Sequence, residues 1–265
     1  MTALPRISCL QLTRDRLVFA KQAIACYLRQ TYPERELVVV ASGSRRTRAA
    51  LARHVAALGR ADIRVVEAGG DLCLGALRNI SLDAARGDLF CQWDDDDLHH
   101  PERLRLQYEA LAEAGAQASY LSDVLQLFTH ERRLHWLDWT RLRGVRRDEH
   151  WIPGTVLARR EDRFRYPESG EGSQVAEDNA LRRILAREAE VAVPAGSGWA
   201  YVYRYHGGNT FDRRHHDLVT SWGLTTADWV RERLGDLRSA LGAYPLPLPI
   251  TVAARDVAQV LVYGG

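Results

Sequence analysis

The sequence predicts an α/β fold: a mostly parallel central sheet with helices on both faces, plus a C-terminal helical extension. Two observations predict it. Through the first hundred residues, apolar runs of strand length alternate with helical apolar spacing, the order of a parallel sheet with crossover helices. After residue 215, Leu218, Trp222, Trp229, Leu234 and Leu241 fall at helical spacing. With 265 residues, 46 % of them apolar, the chain can fill one large core and an appendage. No linker-like stretch divides it. Residues 1–210 are therefore expected as the main domain and 211–265 as the extension.

The elements follow in order. Residues 7–12 form a short apolar run, a first strand, and 13–16 a polar loop. Residues 17–30 carry helical spacing (Leu17, Ala20, Ile24, Tyr27, Leu28) that ends before Tyr32-Pro33. The run 37–41, Leu-Val-Val-Val-Ala, is continuous, as in a strand buried on both faces. A turn at 42–44 leads into a helix over 46–58 that Gly59 closes. A third strand spans 63–67. Gly69-Gly70 opens a loop, a short helix runs from Leu77 to about residue 85, and Gly87 breaks it. A fourth strand, 88–93, runs into Asp94-Asp95-Asp96-Asp97. Pro101 then opens a helix to residue 114, stopped by Gly115.

The second half predicts one strand over 119–128 and its hairpin partner over 133–138. A loop dense in Arg and Trp follows to residue 151. Pro153-Gly154-Thr155 leads into a strand at 156–159, and 166–174 is polar and Gly-rich, a mobile loop. Glu177-Asp178 precedes a helix over 179–187. Short strands are expected near Val191 and over 199–203, and His206-Gly-Gly-Asn209 is a turn. Beyond 215, Pro-Leu-Pro-Leu-Pro at 245–249 interrupts the helical spacing before a last segment.

The formal net charge of +2 provides no field that would draw nucleic acid. The four Cys (Cys9, Cys26, Cys73, Cys91) lack metal-ligand spacing and read as buried reduced thiols. No signal-peptide pattern and no apolar run of transmembrane length is visible. The expectation is a cytoplasmic protein, with peripheral membrane contact left open.

Four consecutive carboxylates at a strand end repel one another unless a cation sits among them. Strand ends in α/β sheets are where ligands bind. One reading is a divalent cation on hard oxygen ligands with a phosphate on its far side. The other is a solvated acidic turn.

The segment Gln92-Trp-Asp-Asp-Asp-Asp-Leu-His-His-Pro-Glu-Arg-Leu104 resembles the metal motif of the GT-A fold glycosyltransferases, in particular the family 2 nucleotide-sugar transferases. Other segments resemble the same family in the same order: Gln30-Thr-Tyr-Pro33, Gly75-Ala-Leu-Arg-Asn79, Gly154, Glu177-Asp178 and Tyr203-Arg-Tyr-His-Gly-Gly-Asn209. The likeness covers roughly residues 6–210. It implies a Rossmann-like GT-A domain. The activity it implies is metal-dependent transfer from a nucleoside-diphosphate sugar to an acceptor hydroxyl, inverting by direct displacement.

The resemblance also implies roles. Asp178 is the catalytic base. Thr13, Arg16, Ser42, Arg78, Asp94 and Asp95 face the donor. Asp96 is the main ligand of a Mn²⁺ or Mg²⁺, with Asp97 beside it as ligand or sugar-side acceptor and His206 as a third ligand or diphosphate contact. The acceptor would be a glycan, a lipid-linked glycan or another hydroxyl compound. The residues alone favour reading Glu177-Asp178 as a helix cap. Trp136, Trp139 and Trp151 offer rings on which a sugar can stack. The C-terminal helices, rich in Trp and Leu, are expected to pair two chains.

Two departures stand out. The first loop reads Leu12-Thr-Arg-Asp-Arg16 where the family has Pro-Thr-Tyr-Asn-Arg. The second strand ends Ala41-Ser-Gly-Ser44 where the family has Asp-Asp-Gly-Ser, which removes an acidic contact to the nucleotide base; Asp15 lies in the neighbouring loop. Two rival functions are a degenerate relative that binds carbohydrate or protein without turnover, and a nucleotidyltransferase. The latter class carries a Gly-rich loop after its first strand, which residues 12–16 lack.

Overall fold

A computed structural model describes residues 3–264. The first half alternates β1 (Ile7–Arg14), α1 (Leu17–Leu28), β2 (Arg35–Ser42), α2 (Arg45–Ala57), β3 (Ile63–Glu67), α3 (Leu74–Ala84) and β4 (Leu89–Gln92). Then come β5 (Leu98–His99), α4 (Arg103–Glu113), β6 (Ala118–Ser119), β7 (Asp123–Phe128), β8 (Arg133–Asp138) and β9 (Leu157–Arg159). Helix α5 (Glu177–Glu188), β10 (Val191–Ala192) and β11 (Tyr201–Tyr205) precede α6 (Arg213–Gly223), α7 (Ala227–Glu232) and α8 (Leu234–Leu241). Strands β12 (Ile250–Ala253) and β13 (Leu261–Tyr263) end the chain.

The strands form two sheets. The first has the order β10-β6-β9-β4-β1-β2-β3, and the second β13-β12-β8-β7-β11-β5. In the first sheet β1 runs parallel to β2 and β4, and β2 to β3, while β9 is antiparallel to β4 and β6. Alternation along each strand sends side chains to opposite faces. Cys9, Leu37, Val39 and Cys91 therefore pack with Ile24 of α1 and Leu104 and Leu111 of α4. Leu10, Val38 and Phe90 pack on the other face with Leu82 of α3 and Leu181 and Leu185 of α5. The first of these cores continues into the second sheet through Leu125, Leu134 and Val202.

Local chemistry sets the helix ends. Ser44 caps α2 by accepting from the Thr47 N–H at 3.3 Å, and Asp212 caps α6 by accepting from His215 N–H at 3.0 Å. Gly59 and Gly115, at φ 62° each, follow α2 and α4 as expected.

The structure differs from the sequence reading at four places. Strand β1 runs on through Arg14, because Thr13 and Arg14 keep pairing with Ala41 and Ser42 of β2. The single strand expected over 119–128 is two, in different sheets: β6 joins β9 and β10, while β7 joins β8 and β11. The C-terminal extension has its three helices, but β12 then pairs in parallel with β8. Val230, Leu237 and Leu241 enter the main core, so the extension is packed into the body. Finally, Cys73 is half-buried and caps α3 by accepting from Ala76 N–H, whereas the other three cysteines are buried. No helix among the described residues is long and apolar enough to cross a membrane.

Candidate active site

Strands β1 and β4 are parallel neighbours, so the segments after both open on one edge of the sheet. Trp93 fixes the exit of β4: its N–H donates to Leu10 O at 3.0 Å and its indole N–H to Ala23 O at 3.0 Å. The ring is fully buried, with the Arg103 guanidinium 5.4 Å from its centroid. The four carboxylates that follow then go four ways.

Asp94 accepts from Arg78 Nη2 at 2.7 Å and from Gln92 Nε2 at 2.8 Å. Asp95 is buried and its Oδ2 has no partner in the protein. Asp96 Oδ2 receives Arg16 Nη1 at 2.7 Å and faces His206 Nε2 at 3.2 Å. Asp97 accepts from the Tyr201 hydroxyl and from the Arg204 N–H, the latter at 2.9 Å. Both Asp97 oxygens are thus taken. These hydrogen bonds tie the cluster to β11.

The electrostatics follow from burial and crowding. Burial and the neighbouring Asp96 push the Asp95 carboxyl up to about 7. Burial, with Asp96 and Asp94 adding to it, holds Asp97 well above the ordinary carboxylate range. Burial would raise Asp96 too, but His206, Arg16 and Arg204 outweigh it and keep that carboxyl low. Among the described residues, no three His, Cys, Asp or Glu side chains converge into a ready metal cage.

Helix α3 explains the Gly75-Ala-Leu-Arg-Asn79 segment. A Cβ on Gly75 would lie 1.8 Å from the Pro167 carbonyl oxygen, so only glycine lets that loop approach. Asn79 Nδ2 donates to Tyr166 O at 2.9 Å and to Glu168 Oε1 at 2.7 Å, and Gly75 N–H donates to Ser173 O at 2.8 Å. The 166–174 segment, expected to be a mobile loop, is therefore pinned along α3. Arg78 bridges Asp94 and, through Nε at 3.1 Å, Glu177. Its Nη1 is buried without a partner, a donor left for an anionic or hydroxyl ligand.

Ala176 precedes α5 in the left-handed region, φ 60°, a conformation that non-glycine residues adopt at a cost of order 1 kcal/mol. That turn sets Glu177 against Arg78 and leaves Asp178 half-buried on the cavity wall, where its Oδ1 accepts from the Asn179 N–H at 2.8 Å. Burial first, then the Glu177 charge, pushes the Asp178 carboxyl up to about 7.

Two cavities meet at this point. The first, about 410 Å³, is lined by Thr13, Arg16, Ser42, Arg78, Asp94, Asp95, Asp96, Asp97 and Asp178. His206 stands behind Asp96 rather than on that wall. The second, about 620 Å³, opens between β7, β8, the 139–153 segment and α6. Asp94, Asp97, Asp178, Tyr203 and Phe211 border both.

Some expectations are not met here. Asp15 stays outside the cavity, because its Oδ1 accepts from Ser44 N–H at 2.9 Å and Ser44 Oγ at 2.6 Å at the start of α2. Trp136 is buried, donating to Asp123 Oδ2 at 2.9 Å, and Trp151 is buried against Tyr120. Neither is free to stack on a sugar, whereas Trp139 lines the second cavity. The sequence reading passed over Gln92, Tyr201 and Phe211. Gln92 had a signal, a polar residue closing an apolar run; Tyr201 and Phe211 had none.

The model for "Glycosyl transferase family 2" matches residues 13–159, more than half of the chain and the whole acidic cluster. The chain belongs to glycosyl transferase family 2. Two solved structures share the GT-A fold of this glycosyltransferase. One is S. aureus TarS 1–349 in complex with UDP-GlcNAc, with a TM-score of 0.60 and 15 % identity over 91 % of this chain and 68 % of that one. The other is the mannosyltransferase PcManGT from Pyrobaculum calidifontis in complex with GDP-Man and Mn²⁺, with a TM-score of 0.56 and 15 % identity over 91 % of this chain and 64 % of that one. No curated protein matches.

Proposed function

We propose that this glycosyltransferase moves a sugar from a nucleoside-diphosphate sugar to an acceptor hydroxyl, inverting the anomeric carbon, with Asp178 as general base. The observation that carries the reading is the place of Asp178, on the border between a polar cavity and a second cavity. The donor lies in the first, with Thr13, Arg16 and Ser42 toward the nucleoside and Arg78, Asp94 and Asp95 toward sugar and phosphates. The donors in TarS and PcManGT support that class.

The acidic cluster fits a divalent cation. Asp95 carries a buried, unpartnered oxygen beside Asp96. Asp96, with His206 beside it, would hold Mn²⁺ or Mg²⁺, which supplies Lewis-acid neutralisation of the leaving diphosphate. Phosphate oxygens and water would supply the remaining positions of such an ion.

Asp178 takes the proton of the acceptor hydroxyl, and that oxygen bonds to the anomeric carbon. The bond from that carbon to the diphosphate oxygen breaks, and its electron pair leaves with the nucleoside diphosphate. Attack and departure on opposite faces of one carbon invert it. A base so placed contributes about 10²–10⁴-fold.

Calorimetric titration with UDP, GDP, dTDP and CDP, each with and without Mn²⁺, tests the reading. Metal-dependent binding of at least one is expected. Binding of none refutes it and leaves a module that binds carbohydrate or protein without turnover.

A further inference from the structure

The wall of the second cavity is mostly apolar. Val124, Leu137 and Ile152 form its buried floor, and Trp139, Val219 and Trp222 its sides. Of its polar neighbours, Arg182 donates to Trp151 O at 3.2 Å and Glu149 accepts from Arg146 N–H at 2.9 Å, while the Trp139 indole N–H and both His216 ring nitrogens have no protein partner. Most of the wall is apolar surface, against which sugar hydroxyls would lose water and gain few partners. An apolar group would instead bury surface there. The rim is apolar as well. Trp222 and Val145 both line the cavity and are 50 % and 38 % exposed, which gives an apolar group a path in from solvent. The volume, about 620 Å³, suits a ligand of small-molecule size. Asp178 and Tyr203 stand at the neck shared with the first cavity.

We infer that the acceptor is an amphiphile: its reacting hydroxyl sits at the neck and an attached apolar group, alkyl or aryl, fills the second cavity. This rests on the glycosyl-transfer reading for the role of the bound compound, but the cavity's preference is measurable without turnover.

The test titrates the full chain with phenyl β-D-glucoside, octyl β-D-glucoside below its micellar concentration, and methyl β-D-glucoside, by calorimetry. The sugar is constant, so any difference reports the apolar group. At least one of the first two is expected to bind ten-fold or more tightly than the methyl compound. Phenyl alone points to an aryl aglycone, octyl alone to a lipid chain. Val219→Asp and the half-exposed Trp222→Ala are expected to weaken that binding ten-fold or more while leaving nucleoside-diphosphate binding with Mn²⁺ within two-fold. Equal affinity for the three glucosides, or binding insensitive to both substitutions, overturns the inference. If nucleotides bind but apolar glucosides do not, the inference fails and the transfer reading stands. If apolar glucosides bind but no nucleotide does, the transfer reading fails and the cavity preference stands.

Discussion

Arg16 Nη1 lies 2.7 Å from Asp96 Oδ2, the same oxygen that faces His206 Nε2 at 3.2 Å. The carboxylate proposed for the cation is therefore already neutralised by the protein. The Arg16 Nη2 also donates to Gly208 O at 2.6 Å, which holds the 206–209 turn over the cluster. A cation arriving at Asp96 has to compete with a guanidinium, so metal and diphosphate are expected to bind together.

Mn²⁺ alone should bind weakly, and at least ten-fold more tightly once a nucleoside diphosphate is present. Arg16→Gln should narrow that gap by strengthening binding of the metal alone. Asp96→Ala should abolish the metal dependence of nucleotide binding. Titration followed by electron paramagnetic resonance of free Mn²⁺ checks all three.

Asp178→Asn should lower kcat by about 10²–10⁴-fold and leave nucleotide affinity within about two-fold. The base works deprotonated, and burial with the Glu177 charge pushes its carboxyl up to about 7. Activity should therefore fall as pH drops through about 7, and kcat/KM of the wild type should show that acid limb. A flat profile from pH 5 to 8 would remove Asp178 from the role.

Arg78 stands between two carboxylates, Asp94 and the buried Glu177, and is itself buried. Removing its charge leaves Glu177 buried without a partner. Arg78→Met should destabilise the fold by about 3 kcal/mol, read as a lower midpoint in urea denaturation. The double variant Arg78→Met with Glu177→Gln should recover part of the loss, because it removes the stranded charge.

Burial pushes His135 and His216 down to about 4. A histidine whose folded pKa is depressed contributes stability that is full above the unfolded value, about 6.5. That contribution is lost as pH falls toward 4, by at most about 3 kcal/mol per residue. The melting temperature should therefore drop between pH 6.5 and 4. His216→Phe should flatten part of that slope; an unchanged slope would discount His216 as a source of the acid sensitivity.

Legibility tracked how local each decision was. Residues 37–41 read correctly because a continuous apolar run is the direct record of burial on both faces. The strand before the acidic cluster, Leu89–Gln92, was legible for the same reason. The break within 119–128 was not: Tyr120 and Leu121 are as apolar as the strands they separate, and only pairing to β9 on one side and β11 on the other divides them. The role of Asp97 was equally hidden, because its partners Tyr201 and Arg204 lie about a hundred positions away. Gly75 was visible as a motif residue, but its reason, the Pro167 carbonyl, exists only in three dimensions.

The five residues that border both cavities have a practical consequence. Most of the first cavity's other lining comes from β1, β2, α3 and the segment before α5, and most of the second's from the 139–153 segment and α6, with Val124, Leu137, Asn179 and Arg182. If the first cavity takes the donor and the second the acceptor, the two specificities lie on largely separate stretches of chain. On that reading, a library of variants confined to residues 139–153 and 215–222 is expected to change what receives the sugar and leave what donates it alone.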